Sequence, residues 1–276
     1  GISYTNDNST FKTASVIGLK GLKSVLASSF CFIPIFIGFI LPIIELSLWA
    51  LETNVDIFNN KFLVGSFNTI TLGLFTGLIC ALLAIVINFS IRFTKNKFLE
   101  RLNSLMSIGY AIPGLILAVG ITRFLVFSDQ NVFTNVNFVI TGSLVGLFLA
   151  YLIKSYALAN SSIESGYERI SNSIDNSAQL LGSSGGKLLG RIHFPLMRTS
   201  FLTAVLLVTS EVVKELPATL ILRPFNFDTL AVITYTYAAE ERMYQAALPS
   251  LAIVIIGIIP IIFLTKMIRS SRIKDS

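Results

Sequence analysis

Long uncharged stretches alternate with short charged ones along this chain. Residues 24–44 lie between Lys23 and Glu45, 62–91 between Lys61 and Arg92, and 102–122 between Arg101 and Arg123. Residues 130–153 lie between Asp129 and Lys154, and 243–265 between Arg242 and Lys266. A bilayer core takes about 20 helical residues, so each stretch is long enough to cross one. Hydrocarbon offers no partner to a backbone amide, so each is expected to be helical. A sixth stretch, 199–222, is mostly apolar but carries Glu211, Lys214 and Glu215. The pattern predicts an all-α integral membrane protein with six spans, at about 24–50, 62–91, 102–127, 130–153, 199–222 and 243–265. Residues 1–23 read as a polar tail or a linker, and 154–198 as a cytoplasmic loop between the fourth and fifth spans.

Charge decides the sidedness. With six spans and both ends on one face, that face holds 16 Lys and Arg against 6 Asp and Glu, while the other holds only Lys61, Arg123, Arg223 and Arg242 as cations. The positive-inside rule then places both termini in the cytoplasm, and five spans would destroy the asymmetry. Composition agrees: 53% of the residues are hydrophobic, 13% are charged, and the mean hydropathy is +0.76. Soluble domains carry about a quarter charged residues. Trp49 suits an interfacial anchor at the outer end of the first span.

The same counts narrow the chemistry. Two cysteines in apolar runs, Cys31 and Cys80, read as small buried side chains rather than a disulfide framework or a zinc site. One histidine, His193, leaves little room for a metal or triad site and reads as solvated. A phosphate-binding G-x-x-x-x-G-K-[ST] loop fails at its first glycine (Leu181) and its last position (Leu188). No catalytic residue, metal ligand or cofactor is therefore expected in the chain, and ATP hydrolysis is not its work. Nor is nucleic acid an expected partner.

The loop 154–198 carries a stripe of Ile163, Tyr167, Ile170, Ile174, Ala178 and Leu181 at helical spacing. Ser171 suits an N-cap, Gly182 a helix stop, and a second short apolar group ends at Pro195. A helix, a glycine break and a second short helix would form a compact cytoplasmic knob.

Within it, Asn176-Ser177-Ala178, then Gly182, then Ile192-His193-Phe194-Pro195 resembles the EAA signature of binding-protein-dependent ABC importer permeases of type I. That signature reads E-A-A, three residues, G, nine residues, I, one residue, L-P. The spacing matches throughout, with Asn176, Ser177 and Phe194 departing from the pattern and Asp175 adjacent to it. Gly109-Tyr110-Ala111-Ile112-Pro113-Gly114, Lys214 to Thr219 and Leu222 to Ala231 look like the ferric-iron permeases of that superfamily. The resemblance runs from about Lys20 to Lys266 and suggests the C-terminal half of a two-half permease.

It implies a six-helix, MetI-like fold in a bacterial inner membrane. It also implies an ATPase subunit that binds ATP and grips Asp175 to Ala178, Gly182, Ile192, Phe194 and Pro195. A second permease half would complete the path, and a periplasmic binding protein would dock near Arg223, Phe225 and Asp228. The expected cargo is ferric iron, with thiamine, polyamine, phosphate or sulfate as alternatives, and an ion-coupled secondary transporter as a more distant one.

The charged sixth stretch has its own logic. Glu211, Lys214 and Glu215 fall at i, i+3 and i+4, which on a continuous helix places them on one face. They either form a structural ion pair or line the path or its gate. Pro217 is expected to break or bend the span just after them, and Pro113, beside Tyr110 and between two glycines, to do the same in the third, so that Tyr110, Pro113 and Pro217 join the charges as candidates for the path or its gate. Glu45 reads as a helix-end charge.

Overall fold

A computed structural model describes residues 18–52, 59–132 and 139–274, and among them there is no strand. The expected tail 1–23 therefore lies mostly outside the described residues. Among the described residues five helices are long and apolar enough to cross a membrane, and a sharply bent pair passes the same test when its two helices are taken together. The chain divides into two units, residues 1–45 and 46–276.

The first unit holds most of α1 (Leu22–Glu52), which contains Pro34 and a π-helical turn at Phe36–Ile40. A proline inside a helix removes one ladder donor, and a wider turn accommodates the mismatch. No side chain of α1 is buried, and Cys31 is exposed rather than enclosed.

The second unit is built on α2 (Asn60–Thr94), whose two faces differ by sequence. Gly65, Thr69, Gly73, Thr76, Gly77, Cys80, Ala81 and Ala84 recur at helical spacing and are buried. Phe67, Leu74, Phe75, Leu78, Leu82 and Val86 are exposed, as befits a lipid-facing surface. The small face packs against α7 (Gly185–Val213). A Cβ on Gly77 would stand 2.7 Å from the Val205 carbonyl, so glycine permits the approach. Thr209 adds a hydroxyl donated to the carbonyls of Val205 and Gly73, at 2.7 and 3.2 Å.

The third crossing is not one helix. α3 (Lys97–Ser107) runs through a 3-10 turn, Ile108–Ala111, and α4 (Gly114–Asn131) leaves it at 117°. Ile112 is extended (φ −77°, ψ 126°) because the proline ring that follows excludes the helical region. Of the break or bend expected at Pro113, the structure shows a full break. Asp129 near the end of α4 accepts from the amides of Ile140 and Thr141, both at 2.9 Å, and fixes the approach to the next helix.

That helix corrects the expected spans. α5 occupies Leu144–Glu168, whereas the charge-free window ran from 130 to 153. The window closed at Lys154 because a charge was taken to mark a membrane edge. In the structure Lys154 sits within α5 and is paired. Consequently most of the supposed loop 154–198 is helix belonging to α5 and α7, and the second half of the expected knob is the first turns of α7. Between them stands α6 (Asn172–Leu180). The apolar stripe from Ile163 to Leu181 crosses the break at Ile170 and Ser171 and belongs to two helices.

α7 ends at Val213, and α8 (Pro217–Leu222) begins after a gap of three residues, with proline in its first turn. The break expected just after the charged cluster thus falls inside it, with Lys214 and Glu215 in the gap ahead of Pro217. α9 (Leu230–Ala239) has ten residues, about 15 Å at 1.5 Å per residue, too short to cross. It packs on α10 (Met243–Lys274), the last crossing.

Candidate functional site

The two broken crossings meet. Lys154, within α5, forms a close ion pair through Nζ with Oε2 of Glu215, which lies in the gap between α7 and α8. Oε1 of Glu215 accepts from the amide of Ala218 at 3.2 Å, one of the donors that the start of α8 leaves free. The Glu215 carbonyl accepts from the Thr219 hydroxyl at 2.6 Å, and that hydroxyl lies 2.6 Å from the phenol oxygen of Tyr151 on α5.

The other break closes on the same group. A Cβ on Gly114 would lie 2.6 Å from Oε1 of Glu215, 3.4 Å from Nζ of Lys154 and 3.4 Å from Cβ of Pro217. One on Gly109 would lie 2.3 Å from the carbonyl oxygen of Ile153. Both glycines let the bend between α3 and α4 press on α5 and on the ion pair. Pro113 lies between them, and Tyr110 is exposed on the 3-10 turn. Beside the bend lies an apolar cleft of about 450 Å³, lined by Leu83, Gly109, Ile112, Leu149, Ile153 and Tyr156 among others.

The three charges expected on one face are separated. Because α7 ends at Val213, Glu215 leaves the helical path and reaches Lys154 instead of its neighbours. Glu211 pairs with Lys214 at 2.9 Å, with the Lys214 side chain 62% exposed. Among the described residues no group of three His, Cys, Asp or Glu is placed to hold a metal ion.

The second cluster surrounds α6. Ser171 occupies its N-cap position, but the hydroxyl contacts Ser173 at 2.8 Å rather than a backbone amide. At the other end Gly182 (φ +80°) donates to the Gln179 carbonyl at 2.9 Å and Ser183 to Ala178 at 2.9 Å. These are the paired bonds of a Schellman stop, which needs a left-handed residue there. Leu180 and Leu181 just before it are 89% and 86% exposed. Asn176 and Ser177 face outward, while Ala178 is buried. Ile192 is half-buried and Pro195 exposed, and the Phe194 ring packs on Phe201 at 5.3 Å.

Asp175 points inward. Its Oδ2 accepts from Nε of Arg92 at 2.7 Å and its Oδ1 from Nε2 of His193 at 2.9 Å. A carboxylate only accepts, so the imidazole proton is on Nε2. Arg92, in the last turn of α2, also donates to the carbonyls of Tyr167 and Ile170, at 3.0 and 2.7 Å, and to Asn172 at 3.2 Å. The expectation of a solvated His193 is corrected: it is fully buried, with its ring against Phe89, Phe93 and Tyr167.

At the opposite end of the bundle, Arg223 and Asp228 form a close ion pair across a turn with Asn226 at φ +60°. Phe225 at its tip is 95% exposed, beside a cleft of about 380 Å³.

Sequence reasoning missed Lys154, Tyr151 and Thr219 at the junction, and Arg92 and the burial of His193 at α6, while Gly114 was already placed beside Pro113. A usable signal existed for Lys154. It is a lone cation in the apolar stretch that precedes Ser155, and an unpaired charge at membrane depth calls for an opposite one elsewhere. Glu215 is that charge.

No family model matches the chain. It is 27% identical over 237 residues to an Fe(3+)-transport system permease protein of Haemophilus influenzae, covering 82% of this chain and 44% of that protein. The chain therefore spans less than half the length of that relative. It is 26% identical over 190 residues to a Salmonella typhimurium permease provisionally assigned to 2-aminoethylphosphonate transport, covering 69% of this chain and 68% of that one. In three dimensions it resembles a chain of a bacterial ABC transporter that imports alginate, with a TM-score of 0.65 at 16% identity, over 90% of this chain and 95% of that one. It also resembles the MetNI methionine ABC transporter in inward-facing form, with a TM-score of 0.55 at 13% identity, over 74% and 94%. The fold is that of ABC-importer permeases, and the chain is a multi-pass membrane protein.

Proposed function

We propose that this chain, a permease of the type I ABC-importer kind and not itself an enzyme, forms one half of a gated path for ferric iron across a bacterial inner membrane. A second half, fused or separate, completes the path. An ATPase subunit binds the ATP and docks on α6, and both termini lie on that cytoplasmic side. A periplasmic binding protein delivers cargo at Phe225 and the Arg223–Asp228 turn.

One observation carries the reading. α6 stands outside the long apolar helices yet displays two leucines that are almost entirely exposed, held out by a glycine-stopped turn. Burying a leucine is worth about 1.5–3 kcal/mol, so the pair supplies a partner with a substantial share of its binding energy. The mechanism is alternating access, in which a partner moves the equilibrium only through contacts that differ between two states. Closure of the ATPases displaces α6, and the broken crossings around Lys154–Glu215 open or close the path. The cleft beside the α3–α4 bend gives that bend space to move. Ferric iron as cargo rests on the likeness to the Haemophilus permease and on the segments Gly109–Gly114, Lys214–Thr219 and Leu222–Ala231.

L180D and L181D test the docking. Each is expected to weaken recovery of the ATPase with the permease by at least about tenfold, since about 1.4 kcal/mol corresponds to a factor of ten. Unchanged recovery rejects the site. The phosphonate relative favours a second cargo, a small phosphonate. Competition between labelled ferric iron and 2-aminoethylphosphonate for uptake separates the two.

A further inference from the structure

We infer that Asp175 is the linkage through which movement of α6 reaches the membrane helices, an inference that rests on reading α6 as the ATPase-docking element. In the nine-residue α6 only Asp175 and Ala178 are buried. Among the described residues, every side-chain hydrogen bond from α6 to a membrane helix ends on Arg92 or His193. Arg92 closes α2 and His193 lies in the π turn that opens α7. One carboxylate therefore joins the docking element to two crossings at once.

The geometry suits transmission. Each oxygen of Asp175 is taken by a different crossing, Oδ2 by Arg92 and Oδ1 by His193. Arg92 is itself locked by two carbonyls, those of Tyr167 at the end of α5 and of Ile170 just beyond it, a favourable place for a cation. The His193 ring is wedged among three aromatic rings. Beyond the knot, α2 and α7 are packed along the glycine face, where a Cβ on Gly77 would stand 2.7 Å from the Val205 carbonyl. From His193 to Val213 is about 30 Å of helix at 1.5 Å per residue, and it ends at the gap that holds Glu215. Asp175 thus acts through Arg92 and His193. It is a positioning residue, touching neither cargo nor nucleotide.

The test uses the full chain with its second permease half, ATPase and binding protein, in proteoliposomes supplied with labelled ferric iron on the binding-protein side. D175A severs both links. D175N keeps both without the charge: its oxygen accepts from Arg92, and its amide donates to a His193 protonated on Nδ1, the nitrogen that has no partner in the structure. D175A is expected to retain the ATPase and its hydrolysis while uptake per ATP falls about tenfold, within the usual span of coupling between sites. D175N is expected to recover most of that loss. Uptake per ATP unchanged in D175A overturns the proposal. So does loss of the ATPase from folded D175A, or a D175N as impaired as D175A. If D175A does not fold, H193A, which cuts the link to α7 alone, is read the same way. Failure of both to fold makes the cluster a folding element and also overturns it. A wild-type chain that recovers no ATPase defeats the docking reading itself, a different outcome from a D175A that transports normally.

Discussion

Glu215 and Asp175 are equally buried, each side chain 7% exposed and each facing a cation that is 17% exposed, yet they are held in different ways. Glu215 meets a single ammonium on a flexible stem and one amide of a short helix. Asp175 meets a guanidinium that is fixed by three further acceptors and an imidazole fixed by three rings. A planar guanidinium bonded at several points is preorganised, whereas a lysine ammonium is a movable point charge. The ion pair at the junction of broken helices can therefore separate by movement of one flexible side chain, while the cluster under α6 is held at several points. A path that opens and a lever that does not bend need these two properties in these two places.

Substitutions sharpen that contrast. The largest effect is expected at the junction. K154M and E215Q each leave a charge unpaired inside the bundle, at a cost of about 3–5 kcal/mol, read as a lowered melting temperature or loss of folded permease. The double change K154M/E215L removes both charges and is expected to recover most of that stability but not transport. If it restores transport, the pair is structural only. Next, G114V drives a side chain into the Glu215 carboxylate and Pro217, and overpacking of this kind costs about 1–3 kcal/mol. Reduced uptake with the ATPase still bound is expected. At α6, G182A places a Cβ on a left-handed residue at about 1–2 kcal/mol, read as weaker ATPase recovery rather than loss of fold. The smallest effect is expected for E211Q and K214Q. Lys214 of that pair is exposed and Glu211 half-buried, and pairs open to solvent contribute about 1 kcal/mol or less. A melting temperature that falls as far as for K154M would erase the distinction between the two acids.

Much of the fold is legible as hydropathy. The long crossings follow from apolar runs of sufficient length, and the two breaks from Pro113 and Pro217, because a proline ring acts on its own neighbours. Gly182 is likewise readable as a helix stop. What the sequence conceals are the long-range pairs. Lys154 closes an uncharged window and so passes for a membrane edge, which displaces the fourth crossing by 14 residues at its start, from 130 to 144. His193 passes for a surface residue because its partners stand 18 and more positions away. Charges near one another along the chain were expected to act together, but a helix end at Val213 turned Glu215 toward a different element. In each case the deciding contact is tertiary.

The most direct test of the account is uptake of labelled ferric iron into proteoliposomes holding this permease with its second half, ATPase and binding protein, with and without ATP. Accumulation that requires ATP, and that falls to background when Leu180 and Leu181 are both changed to Asp, is the predicted result. Accumulation that proceeds without ATP, or that ignores both substitutions, would contradict it.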